Sequence, residues 1–427
     1  MTVTPPPDPA RAPLTASGPH GDPSSEPEGA YLDHAATTPM SAAALAAFVA
    51  EAQRTGNASS LHSAGRTARR SVEEARETLA GSLGARPSEV IFTSGGTEAD
   101  NLAIKGIFWG RRAQDIRRTR ILVSAVEHHA VLDPAFWLAG HAGAEIVLLP
   151  VDGDGRLDLD ALRAELAAHG DETALISVMW ANNEVGTLQP IRSVVRAARP
   201  YGIPVHTDAV QAVGQTEVDF TESGVDAMTV TGHKFGGPVG VGALLAKRDL
   251  ALDAVLHGGG QERGVRSGTL DVASIAAFGV AARHAVERLP QCAARLAALR
   301  DDLIARVRAA APEAVLRGAD PASGDRLAGN AHFTFPGAEG DSLLYLLDSA
   351  GVQASTGSAC QAGVPQPSHV LLAMGVPETE ARGALRFTLG ATSTESDVDR
   401  LAAALPQVVA RAQAAGLLSG RAIGGVA

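Results

Sequence analysis

The feature that most limits what this chain can fold into is an alternation. Seven short apolar, β-branched runs (Glu89–Thr93, Arg120–Ala125, Glu145–Pro150, Ala174–Trp180, Ile203–Asp208, Ala227–Thr231 and Val241–Ala246) are separated mostly by stretches of helical periodicity such as Thr97–Trp109 and Ile191–Tyr201. Strands apolar on both faces need cover on both, and crossover helices between parallel neighbours supply it. The pattern predicts a large α/β domain with a mostly parallel sheet over residues 41–285. No helix fits between the last two runs, so an antiparallel hairpin is expected there. From about residue 286 the pattern changes. Helix-like Gln291–Ala311, strand-like Ala331–Phe335, helix-like Asp341–Ala350, strand-like Ala384–Leu389 and a last helix from Glu395 predict a smaller α+β domain over 286–427, to which 29–40 is assigned. Residues 1–28 carry eight of the 24 prolines and read as a disordered tail.

Composition narrows the function classes. Hydrophobic residues at 45% and charged residues at 19% suit a core-forming chain, and 4% aromatics leave that core to Ala, Val, Leu and Ile. A net charge of −11 argues against a primary nucleic-acid binder. No apolar run reaches the roughly 18 residues of a membrane helix, and the N-terminus lacks the basic and apolar regions of a signal peptide. The two cysteines, Cys292 and Cys360, are too few for a disulfide scaffold or a Cys-based zinc site and fit a reducing, cytoplasmic setting. Among 36 basic residues only Lys105, Lys234 and Lys247 are lysines. Lysine chemistry therefore has three candidates.

Five constellations carry chemistry. In Thr93-Ser-Gly-Gly-Thr-Glu-Ala-Asp-Asn101 a buried-type strand runs through a Ser/Gly turn into a helix, so free N–H groups near Gly95, Gly96 and Thr97 can cradle a phosphate. A plain strand-to-helix turn with a Thr cap reads the same way. Asp208 ends an apolar strand in Val205-His-Thr-Asp-Ala-Val-Gln211, where α/β sheets place ligands; it can pair with a cation or a protonated ring nitrogen, or simply cap the next turn. Lys234 follows the strand Ala227–Thr231 and precedes Gly-Gly-Pro. Desolvation there lowers a lysine pKa and favours bond formation to a carbonyl. Lys105 and Lys247 look like solvated surface lysines. Cys360 sits among small polar residues in Ser355-Thr-Gly-Ser-Ala-Cys-Gln-Ala-Gly363, as expected of an exposed, reactive thiol on a mobile loop, whereas Cys292 reads as an inert helix residue. Arg386, alone in the apolar run Leu385–Leu389, needs a carboxylate partner, either a ligand or a structural one. The Gly-rich segment His257–Thr269 reads as a backbone-approach or interface loop.

Taken in order, these motifs resemble the cysteine desulfurases of the IscS/NifS type, class V members of the fold-type-I pyridoxal-phosphate enzymes. The resemblance runs from Tyr31-Leu-Asp-His-Ala-Ala-Thr-Thr-Pro39 through Gly56-Asn-Ala-Ser-Ser-Leu-His62, Glu127-His-His-Ala-Val-Leu-Asp133, Asn182-Asn-Glu-Val-Gly186, Gly232-His-Lys234, the Gly258–Thr269 loop and Ser358-Ala-Cys360 to Arg386. It implies pyridoxal 5'-phosphate as cofactor and L-cysteine as substrate, and it assigns roles. Lys234 resembles the lysine that carries the cofactor. Asp208 matches the acid on the ring nitrogen. His128 matches the imidazole on the ring face; its neighbour His129 reads as structural. Gly96, Thr97, Thr231 and His233 match the phosphate cradle. Thr269 matches a phosphate contact from a second subunit, which implies a homodimer. Asn183 and Gln211 match contacts to the ring and its phenolic oxygen. Arg386, with Asn183 nearby, resembles the arginine that holds the substrate carboxylate. Cys360 resembles the thiol that takes sulfur as a persulfide.

The segment after Cys360 has the length of the IscS-type loop, longer than in SufS-type relatives. The C-terminus, AGLLSGRAIGGVA, does not resemble the tail by which IscS enzymes dock an iron–sulfur scaffold, so a tRNA-thiolating enzyme stands beside that scaffold as the expected sulfur acceptor. Competing readings are a selenocysteine lyase or an aminotransferase on the same fold, and a catalytically silent sulfur carrier or scaffold protein. A silent relative is expected to have lost Lys234, Asp208 or Cys360, and all three are present.

Overall fold

The computed structural model describes residues 29–357 and 366–423. The tail 1–28 and Cys360 lie outside the described residues. In chain order the strands are β1 (Ala30–Tyr31), β2 (Val90–Thr93), β3 (Arg120–Ser124), β4 (Glu145–Leu149), β5 (Thr173–Ser177), β6 (Val205–Asp208), β7 (Ala227–Thr231), β8 (Gly242–Ala246), β9 (Val315–Arg317), β10 (Asn330–Thr334), β11 (Val352–Gln353) and β12 (Ala384–Thr388).

Seven of them form one sheet in the order β2-β8-β7-β6-β5-β3-β4. The pairs from β7 to β4 are parallel, and β8 runs antiparallel to both neighbours, as the short gap before it requires. All residues of β5, β6, β7 and β8 are buried, which is why these runs show no regular alternation of apolar and polar residues; the polar His206 and Thr229 among them bond to each other at 3.0 Å. The expected strand over 174–180 is shorter than its apolar pattern. It ends at Ser177 because the Met179 N–H turns to the buried carboxylate Oε1 of Glu127, 2.6 Å away, instead of a ladder partner.

A second, antiparallel sheet has the order β12-β10-β9. The first segment of the chain joins it by contact: β1 pairs with β11, and the Thr388 N–H donates to the Leu32 carbonyl at 2.8 Å. Ala30 and Leu32 share an apolar core with Phe333, Leu385 and Leu405, separate from the core of the large sheet around Val178, Val205, Met228 and Val230. The helix expected over 291–311 is longer than read. It is one helix, Val272–Ala310, that carries Pro290 inside and runs from one core to the other: Ile275 and Phe278 pack under the large sheet, and Leu296, Leu303 and Val307 in the second core. Among the described residues no helix is long and apolar enough to cross a membrane.

Candidate active site

The parallel strands deliver their C-terminal ends to one cavity of roughly 380 Å³. It lies in the size range of small-molecule sites, about 300–1,000 Å³. Gly96, Thr97, His128, Asn183, Asp208, Gln211, Thr231, His233, Lys234 and Arg386 all line it, along with Ala35, Ala36, Asp100, Ser355 and Gly357. Of the residues to which the resemblance gives a role in the site, two stand apart. Thr269 is exposed and does not line the cavity, and Cys360 lies outside the described residues. Two other hollows, one lined by Arg111, Asp226 and Lys247 and one by Asp301, Arg308 and Asp320, contain none of these residues.

Lys234 stands in a single 3-10 turn, Gly232–Lys234, directly after β7. Its Nζ donates to the carbonyls of Ala35 at 2.5 Å and Ala36 at 2.9 Å. Burial first, and then the Arg386 cation, bring its pKa down to about 8, against the pull of Asp208 and Asp33. Of the other lysines, Lys247 is not simply solvated: it pairs with Asp226 at 2.9 Å, while Lys105 lies over the ring of Trp137. Asp208 ends β6 with one oxygen accepting the Val210 N–H at 2.8 Å. Burial pushes its carboxyl up to about 6, while Val210 and Lys234 hold it down. A cationic ring nitrogen would hold it down further. His128 caps the helix His129–Ala142, accepting the Ala130 N–H on Nδ1. Burial, then Lys234, lower its pKa to about 4, so it is a neutral ring. His129 faces away, bonded to Asp133 at 3.0 Å and packed on His369.

One end of the cavity is built from the turn after β2 and the start of the helix Gly96–Gln114. The helix starts at Gly95 without a side-chain cap, so its first N–H groups have no intrahelical partner. Gly95 has φ +152°, a conformation that side-chain-bearing residues rarely adopt, and a Cβ on Gly96 would come within 3.0 Å of Val210. Such a cradle suits an anion. Asn183 Oδ1 is buried without a hydrogen-bond partner among the described residues, and Gln211 donates to the Ala35 carbonyl at 3.0 Å. An open helix terminus, a buried acid, a flat neutral imidazole and a lysine whose pKa is brought down to about 8 in one cavity fit a phosphorylated, ring-nitrogen-bearing aldehyde such as pyridoxal 5'-phosphate.

At the other side, Arg386 on β12 finds the partner its apolar setting requires. Its guanidinium donates to Asp33 at 2.8 Å and to the Asn183 carbonyl at 2.8 Å, and its Nε has no partner. The fork thus retains donors for a second carboxylate. Asp33 received no role from the sequence, although it was a charged residue one step from a buried Leu. Asp100 was missed too. It lines the cavity at 1% exposure, and burial, then Asp208, hold its carboxyl well above the usual range. Its signal was legible: Ala103, Ile104 and Ile107 put it on the apolar face of its helix.

The chain matches a known family along most of its length. The family model described as "Aminotransferase class-V" matches residues 30–401. The chain is 58% identical over 388 residues, 91% of its own length and 98% of the relative's, to "IscS-like cysteine desulfurase" of Mycobacterium tuberculosis. It is 42% identical over 385 residues, 89% of its length and 92% of the relative's, to "Cysteine desulfurase NifS" of Azotobacter vinelandii. Among solved structures, one titled "NIFS-LIKE PROTEIN" superposes with a TM-score of 0.82 at 32% identity, covering 90% of this chain and all of that one. The chain belongs to the class-V aminotransferase family, on its branch of IscS/NifS-type cysteine desulfurases.

Proposed function

We propose that the chain is a pyridoxal-phosphate-dependent cysteine desulfurase that converts L-cysteine to L-alanine and passes the sulfur on from Cys360. The observation that carries this reading is the meeting of Lys234, Asp208, His128, Asn183, Gln211 and Arg386 on one cavity in a chain related to enzymes of that name. The bound cofactor would supply an electron sink for the substrate's α-carbon. Gly96, Thr97, Thr231 and His233 would hold its phosphate, His128 its ring face, Asn183 and Gln211 its ring and phenolic oxygen, and Asp208 the proton on its ring nitrogen. Arg386 orients the substrate carboxylate. Lys234, with its pKa brought to about 8, takes the α-proton on Nζ and returns it. The Cys360 thiolate forms the new S–S bond as the Cβ–S bond breaks. The bond's electron pair stays with the carbon skeleton, which takes up a proton and leaves as alanine.

The two separate cores support reading 41–285 as the cofactor-binding domain and 29–40 with 286–427 as the smaller one. Thr269, exposed on the Gly-rich loop, is available to a second copy of the chain, consistent with a homodimer. The acceptor is an iron–sulfur scaffold or a tRNA-thiolating enzyme, nucleic acid is not contacted directly, and the compartment is the cytoplasm.

Mass spectrometry of cysteine-treated protein under non-reducing conditions tests the reading. An adduct of about 32 Da, one sulfur atom, is expected on Cys360. Cys360→Ser should bind cofactor but carry no adduct and form no alanine, while Cys292→Ser behaves as wild type. Alanine formed by Cys360→Ser at the normal rate, or an adduct on Cys292, would remove the mechanism.

A further inference from the structure

The helix terminus at Gly96 carries a charge in the wrong place for a phosphate. Glu98, in the first turn of that helix, reaches back so that its Oε2 accepts the Ser94 N–H at 2.7 Å and the Ser94 hydroxyl at 2.5 Å. Burial alone would raise its pKa, but Arg266 and Ser94 overcome that and keep it ionised. An anion there competes with any phosphate for the positive end of the helix. Its counter-charge comes from far along the chain. Arg266, in the Gly-rich loop, grips Glu98 with Nε to Oε1 at 2.6 Å and Nη2 to Oε2 at 3.1 Å. The side chains of the pair are only 15% and 23% exposed.

The loop has a second anchor on the same unit. Glu262 receives both ends of the Arg76 guanidinium, at 2.6 and 2.8 Å, and accepts the Phe92 N–H of the edge strand β2 at 2.8 Å. Among the described residues only Glu262 and Arg263 combine a side chain with positive φ (46° and 62°). Such strain persists where surrounding contacts over-determine it. The loop is therefore fixed at two points on the strand–turn–helix unit that forms the cradle.

We propose that Arg266 is a positioning residue for the phosphate end of the cavity: its two-pronged pairing with Glu98 cancels a carboxylate at the helix terminus and locks the Gly-rich loop against it. This rests on the pyridoxal-phosphate reading. Because the role is toward the phosphate, it separates two probes that differ only there, pyridoxal 5'-phosphate and pyridoxal.

The test is equilibrium binding of each probe to the full-length apoenzyme, followed by absorbance and fluorescence. Arg266→Gln should weaken pyridoxal 5'-phosphate roughly tenfold and leave pyridoxal within about twofold. Adding Glu98→Gln should bring pyridoxal 5'-phosphate back to within about threefold of wild type, because the uncompensated carboxylate is gone. The double variant holds a neutral, hydrogen-bonding pair, so it also guards against a folding defect in the single one. Equal loss of both probes in Arg266→Gln with no recovery in the double variant would overturn the proposal, as would unchanged binding. Wild-type protein that binds neither probe would overturn the cofactor reading itself, which distinguishes the two failures.

Discussion

The two walls of the cavity are built differently. On one side, Gly96, Thr97, His128, Asp208, Thr231 and Lys234 each lie within a few residues of the C-terminal end of a sheet strand. Their places follow from the strand before them, and the sheet makes them rigid. On the other side, Arg386 depends on Asp33, 353 residues away, and on a carbonyl from a third segment, at Asn183. Residues 33–41 stitch the walls together. Their carbonyls receive Lys234, the Thr38 and Ser41 N–H groups bond to His233 and Gly236, and the Ala35 N–H bonds to Thr388. The sheet side is suited to holding a cofactor in one place. The assembled side, set by side-chain pairing, is suited to reading a substrate.

Breaking the sheet wall should have the largest effects. Lys234→Ala is expected to abolish turnover and to remove the borohydride-fixed adduct on the peptide containing residue 234, read by mass spectrometry. A retained adduct would end the assignment. Asp208→Asn should keep its cofactor but lose about 10²–10⁴ in kcat, because an amide does not stabilise a protonated ring nitrogen. A variant within twofold of wild type would show that this acid is not the ring partner.

The assembled wall should respond in KM before kcat. Arg386→Gln is expected to raise KM for L-cysteine about 100-fold, the scale of a lost charge-assisted pair. Asp33→Asn, which leaves the guanidinium in place, should raise it about tenfold or less. If the two variants are equally damaged, the pair works as one unit and the substrate carboxylate is held elsewhere.

The smallest effect is on stability. Lys234 has a folded pKa of about 8 against an ordinary 10.5. Between those values the unfolded chain binds the extra proton and the folded one does not, so apoprotein stability should rise with pH across that window. Below pH 8 the penalty of a buried ammonium is fully present. Lys234→Met apoprotein should therefore be more stable than wild type by about 1–3 kcal/mol at pH 7, after allowance for residual solvent screening, with the gap closing toward pH 10.5. Urea titrations at several pH values would show it. A gap that does not change with pH would mean that Lys234 is not desolvated in the apoprotein.

Two elements have bounds other than their local pattern implies. The apolar run at 174–180 looked like strand to its end, but Glu127 draws off the Met179 N–H. The helix Val272–Ala310 is longer than the periodic stretch 291–311 and continues through Pro290. Proline removes one helical N–H, and the packing of Phe278 on one side and Leu296 on the other holds the two halves in line.

What the amino-acid order determined by itself is what lies within one strand–turn–helix unit. It marked the seven sheet strands, the hairpin at β7–β8, and Lys234 and Asp208 as the ligand-facing members of their segments, because short-range periodicity and strand-end placement are local properties. Only the tertiary structure decided which charges meet: Asp33 with Arg386, Glu98 with Arg266, Glu262 with Arg76, and Asp100 beside Asp208. A single charge in an apolar run announces that it needs a partner, but the partner is chosen by which chain segments the packed cores bring within about 3 Å, and no local pattern encodes that distance.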